Sequence, residues 1–111
     1  HQSQPTDAQP EEIDIAHGVD RVERATNLKV SRITHSWAGL RCFMPDRLPV
    51  VGADPRAEGF IWLAGLGGFG MMTSEALGRA AAAAAVQASL PADIASAGVK
   101  ASTVAPERFL S

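Results

Sequence analysis

The sequence predicts an α+β fold, with one helix, short strands in mixed or antiparallel pairing, and a long C-terminal helix. Three observations predict it. Apolar residues recur at a helical period near the N-terminus, β-branched and aromatic residues cluster between turn signals, and a glycine string runs straight into an alanine run.

Residues 1–9 are polar and carry Pro5, so they read as a flexible lead-in to a segment over 10–111. From Pro10 the pattern becomes "PEEIDIAHGVDRVERATN". Pro10 suits a first helical turn, and Glu11 and Glu12 suit the positive end of the dipole. Ile15, Val19 and Val22 fall at i, i+4 and i+7, and Asn27 is placed to close the helix, predicting an amphipathic helix over 10–26 with His17 facing solvent. "LKVSRITHSWAGLRCFM" predicts a strand from about Lys29 to Phe43, with Gly39 marking a bulge or close backbone approach. "PDR" and "DPRAEG" read as turns, and "LPVVGA" and "FIWLAGL" as the second and third strands. The last is apolar on both faces, as in the middle of a larger sheet. A helix is expected from Ser74 to about Leu90, with Ser74 as N-cap, Glu75 in the first turn and Pro91 as stop. Its six alanines, Ala80 to Ala85, allow close packing. The tail reads as a loop with a short strand and a final turn.

At 111 residues the chain is one domain or a piece of one. Its net charge of −2 carries no footprint for nucleic acid or an acidic membrane surface. The longest apolar run, the alanines, is too short and too weakly hydrophobic to span a bilayer. Cys42 is the single cysteine, which fits a reducing compartment and a cytoplasmic location. The N-terminus lacks the basic-then-apolar order of a secretory signal and has no initiator Met, so the chain is expected to be tagged, processed or excised. No metal-ligand spacing and no Ser–His–acid arrangement is present in the sequence.

"GLGGFG" places four glycines within six positions, directly before a helix. Bare backbone lets a ligand approach the amides, and the helix N-terminus favours negative charge. The bland alternative is a tight turn that packs a small-residue helix on a sheet.

"WAGLRCFMPDRLPVVG", "FIWLAGLGGFGMMTSEALG" and "VAPERF" occur in that order. Together they resemble the C-terminal portion of the FAD-dependent amino-acid oxidoreductases, the superfamily of D-amino-acid oxidase, glycine oxidase and sarcosine oxidase. The resemblance implies that the glycine loop runs beside the flavin ring and that the following helix points its N-terminus at the N1–C2 carbonyl edge. Gly67, Gly68, Phe69, Gly70, Met71, Met72, Thr73 and Ser74 would then bind FAD, with amides from Met71 to Ser74 facing the ring. Sarcosine-type members carry lysine where Met72 stands here, so a dehydrogenase serving a quinone or carrier stands beside an oxygen-using oxidase. Some relatives tether the flavin through a cysteine near Arg41 and Cys42; a lone core cysteine is the preferred reading. The dinucleotide-binding G-x-G-x-x-G unit of the family is absent, so the chain reads as a fragment of a larger FAD-binding plus substrate-domain fold.

Arg41 is the candidate for a substrate carboxylate, with a structural arginine as the alternative. His35 and Trp37 share a strand face, and packing is preferred over a catalytic base at His35. Trp37 and Trp62 are expected in the core, and Asp46 and Arg47 in a turn, with a place near the flavin as the alternative for these two. No catalytic side chain and no metal site is assigned. The expected function is oxidation of the C–N bond of a D-amino acid, glycine or N-methyl amino acid by the intact parent. The expected partners are the small-molecule amine substrate, the rest of the parent or a complementary subunit, and further copies in a homo-oligomer. The alternative is a non-catalytic α+β assembly or binding subunit derived from such an enzyme.

Overall fold

The structure is a computed structural model that describes residues 3–110. Residues 1 and 2 of the expected lead-in lie outside the described residues. The chain divides into two units, His1–Leu40 and Arg41–Ser111. Among the described residues it is α+β, with four α-helices and a two-stranded antiparallel sheet.

In the first unit, α1 spans Glu12–Ala25. Glu12 and Asp14 sit in its first turn and Arg24 in its last, matching the dipole at both ends. Arg24 also pairs with Asp20 one turn back at 3.1 Å. The helix closes at Thr26 rather than Asn27. Thr26 Oγ1 donates to the Val22 carbonyl at 2.8 Å and accepts the Leu28 N–H at 3.2 Å. His17 is exposed, as expected.

The strand expected over 29–43 does not form; only Phe43 makes an isolated bridge, to Leu66. A strand exists through its ladder bonds, and no described backbone pairs with residues 29–40. The Val30 N–H is taken instead by the Glu23 carboxylate at 2.9 Å. Consequently Trp37 is not a core residue: it is 78% exposed. It keeps the predicted companionship of His35, with ring centroids 5.6 Å apart.

In the second unit, β1 (Val50–Ala53) pairs with β2 (Ile61–Ala64) in the register Val50↔Ala64 to Ala53↔Ile61. The connecting turn is organised by Asp54, only 7% exposed. Its carboxylate accepts the Arg56 backbone N–H at 2.8 Å, the Arg56 guanidinium at 2.8 and 3.0 Å, and the Trp62 indole N–H at 3.0 Å. These donors hold its pKa well below the usual carboxylate range, the Arg56 side chain contributing most.

Helix α2 spans Gly70–Ala85 and lies across both strands. Ala80 is buried from this helix, with Val50 and Val51 buried from β1. Small residues on the helix let the backbones approach closely. The helix begins four residues before the expected Ser74, because Phe69 acts as N-cap. It ends at Ala85, short of the expected Leu90, and is stopped by a Schellman turn rather than by Pro91: Gln87 adopts φ 55°, its N–H donates to Ala84 O at 3.1 Å, and Ala88 N–H reaches Ala83 O at 2.8 Å.

The tail contains no strand among the described residues. It forms α3 (Ala92–Ser96), α4 (Ala101–Val104) and a 3-10 turn over Pro106–Phe109. Arg79 of α2 donates to both Asp93 oxygens at 2.6 and 2.9 Å, pinning α3 and lowering the Asp93 pKa to about 2. The large side chains in and beside β2 are not all covered: Leu63 of the strand and Phe60 just before it are exposed, since the sheet has two strands among the described residues rather than the larger number its apolar composition suggests.

Candidate functional site

The chain leaves β2 at Ala64 and enters α2 at Gly70 through "GLGGF". Gly65 and Gly67 adopt φ 68° and 56°, which a side-chain-bearing residue enters only with strain. Space forbids side chains here as well. A β-carbon on Gly67 would sit 2.6 Å from Phe43 Cε1, and one on Gly65 2.5 Å from Met44 Cγ.

The loop is therefore stacked on residues 41–44. Gly67 N–H donates to Cys42 O at 3.0 Å beside the Phe43↔Leu66 bridge, and the Arg47 guanidinium covers the Phe43 ring at 5.2 Å. Phe43 and Met44 were not legible as loop supports from spacing alone. The alternation that carries Arg41 and Phe43 on one side was the available signal.

At the end of the loop and the start of α2, several amides have no protein acceptor. Those of Gly68, Gly70, Met71 and Met72 donate to no acceptor among the described residues, whereas Phe69 N–H reaches Leu66 O at 3.2 Å and Thr73 N–H reaches Phe69 O at 3.0 Å. These are the orphan donors of a helix start. No acidic side chain lies in the first turn of α2, so nothing local neutralises the positive end. Glu75, expected there, sits in the second turn and pairs with Arg79 at 2.6 Å. Ser74 caps nothing: its hydroxyl donates to Met71 O at 3.0 Å, and the Thr73 hydroxyl donates to Phe69 O at 2.7 Å. Of the amides expected to face a ligand, Met71 to Ser74, those of Met71 and Met72 have no acceptor among the described residues, whereas that of Thr73 is spent on Phe69 O. Met71 and Met72 project outward, 95% and 80% exposed.

The fold brings Arg41 to this loop. A β-carbon on Gly68 would lie 2.8 Å from Arg41 Nη1, so the guanidinium lies against bare backbone. Arg41 is exposed and makes no ion pair among the described residues. Cys42 is also exposed, which corrects its reading as a core cysteine. His35 belongs to the other unit. Among the described residues no group of three or more His, Cys, Asp or Glu side chains could hold a metal, and no helix is long and apolar enough to cross a membrane. A recess of about 150 Å³ beside α2 is lined by alanines, Val51, Leu90 and Pro106, with Glu107 as its sole charged residue, and offers no reactive group.

The arrangement suits an anionic or electron-rich group better than a cation. Its donors are peptide N–H groups with a helix dipole behind them, and its flanking charge is positive. A family model described as "FAD dependent oxidoreductase" matches residues 1–84, well over half of the 111-residue sequence, and takes in Arg41, the glycine loop and most of α2. The chain thus belongs to the FAD dependent oxidoreductase family.

Proposed function

We propose that this chain is the C-terminal, flavin-facing segment of an enzyme that oxidises the C–N bond of a D-amino acid, glycine or an N-methyl amino acid. One observation carries the reading: four amides with no acceptor among the described residues and an unpaired arginine meet at a single glycine loop. FAD, when bound, would supply the hydride acceptor for oxidation of the substrate C–N bond, and the residues of the glycine loop would hold it.

The residues of this chain supply position and charge. Gly68, Gly70, Met71 and Met72 would offer N–H groups to a flavin held here, stabilising negative charge that develops on its reduced form. A helix terminus contributes roughly 0.3–1 kcal/mol to such an anion, and up to about 2 kcal/mol when partly buried. Phe69 and the rest of the stretch to Ser74 line the approach, with Thr73 and Ser74 holding the first turns of the helix together. Arg41 takes the substrate carboxylate as a bidentate donor. Met72 gives the ring edge an apolar neighbour rather than a cation, which favours a quinone or carrier over oxygen as electron acceptor. The chain depends on the rest of its polypeptide or on a complementary subunit, binds FAD poorly alone, and assembles further into a homo-oligomer. We place it in the cytoplasm, where an exposed lone thiol such as Cys42 stays reduced.

The test is anaerobic mixing of the full-length FAD-loaded protein with glycine, D-alanine and sarcosine. Bleaching of the flavin by at least one of them supports the reading, and an unbleached flavin with all three contradicts it. A second reading, a non-catalytic assembly subunit, is favoured by the small buried core of Val50, Val51 and Ala80. It predicts that the intact protein carries no stoichiometric flavin.

A further inference from the structure

The turn Pro106–Phe109 lies beyond the stretch that the family model matches, yet it returns to the segment that supports the glycine loop. Arg108 is its working residue. Its Nε donates to Asp46 Oδ2 at 2.7 Å, and its Nη2 donates to Asp46 Oδ1 at 3.3 Å, Leu48 O at 3.0 Å and Pro49 O at 2.9 Å. Nη1 is tied to its own turn through Ala105 O at 2.9 Å. The side chain is only 15% exposed. One planar guanidinium thus fixes two carbonyls and a carboxylate around the 46–49 turn, a geometry lysine cannot reproduce.

That turn is the direct continuation of Arg41 to Met44. Arg47 N–H closes onto Met44 O at 2.9 Å, and Leu48 N–H onto Asp46 Oδ1 at 3.1 Å. Upstream, Cys42 O holds Gly67 and the Arg41 guanidinium lies on Gly68. The segment bearing Arg41 is therefore clamped at one end by the glycine loop and at the other by Arg108.

We infer that Arg108 is a positioning residue for the carboxylate subsite: it locks the 46–49 turn so that Arg41 is held against Gly68 in the orientation a carboxylate needs. This rests on the reading of Arg41 given under Proposed function. Positioning errors of about 1 Å lower binding or rate by up to roughly a hundredfold.

The experiment uses the full-length FAD-loaded protein and acetate as an inert carboxylate probe, with acetamide as the neutral control, by titration calorimetry. Wild type, Arg41→Ala, Arg108→Ala, Arg108→Lys, Asp46→Asn and the Arg41→Ala/Arg108→Ala double variant are compared. Arg108→Ala is expected to weaken acetate roughly tenfold or more and leave acetamide unchanged, with Arg108→Lys failing to restore affinity. In the Arg41→Ala background the same change is expected to have less than about a twofold effect, because its route runs through Arg41. If Arg108→Ala does not fold, Asp46→Asn takes its place, with an expected loss of about threefold. Weakened acetate binding in Arg41→Ala with full affinity in the Arg108 and Asp46 variants would overturn the inference alone. Unchanged binding in Arg41→Ala would overturn the carboxylate reading and the inference with it.

Discussion

Gly67 and Cys42 are joined by a single peptide hydrogen bond of 3.0 Å, and this bond carries the glycine loop onto the segment that bears Arg41. A left-handed glycine on one side and the Phe43 ring on the other leave no room for a β-carbon.

Gly67→Ala should therefore destabilise the chain by at least about 1–2 kcal/mol from backbone strain alone, with the Phe43 contact adding to it. Gly78→Ala is the matched control. It lies within α2, nothing stands within 4 Å of its β-carbon, and it should stabilise by roughly 0.5–1 kcal/mol. Urea unfolding of the two variants checks the opposite signs.

Gln87 sits at φ 55° in the Schellman turn that ends α2. Gln87→Gly removes the left-handed penalty while loosening the unfolded chain, so a net stabilisation of up to about 1 kcal/mol is expected. A thermal melt of the variant beside wild type measures it.

Acid should weaken the second unit. The carboxyls of Asp46, Asp54 and Asp93 are lowered chiefly by hydrogen bonds from Arg108, Arg56 and Arg79 respectively, Asp93 to about 2. A depressed carboxylate contributes stability that is present above its unfolded pKa, near 3.9, and lost as pH falls through the folded value. Melting temperatures should hold from pH 7 to about 5 and decline below about 4. Asp54→Asn should flatten part of that decline.

The helical periodicity located α1, and the turn dipeptides located β1 and β2, because these signals are local. The strand over 29–43 was legible in composition yet fails to form, since ladder bonds need a neighbour that composition does not supply. Trp37 is exposed for the same reason. The glycine spacing marked the site loop, but the helix start was misplaced to Ser74. A hydroxyl residue suggested a cap where the backbone geometry of Phe69 and Gly70 had already begun the turn. The pairing of Asp46 with Arg108 spans 62 residues, so no local pattern announces it. Asp54 read as a turn residue, and only the folded chain shows it buried beneath Trp62 and Arg56.

Charge at the start of α2 should tune the flavin. Met72→Glu places a carboxylate beside these amides and should make the two-electron potential of the full-length protein more negative by roughly 5–20 mV, from a helix-end interaction of about 0.3–1 kcal/mol. Spectroelectrochemical titration reads the shift.

The amide resonances of Met71 and Met72 in the full-length protein, followed by 15N-selective NMR as bound FAD is reduced, probe the proposed contact itself. Both amide protons should move downfield on reduction, as negative charge develops opposite their N–H groups. Resonances of both that stay unmoved, in a protein whose flavin is seen to bleach, would contradict the role given to this loop.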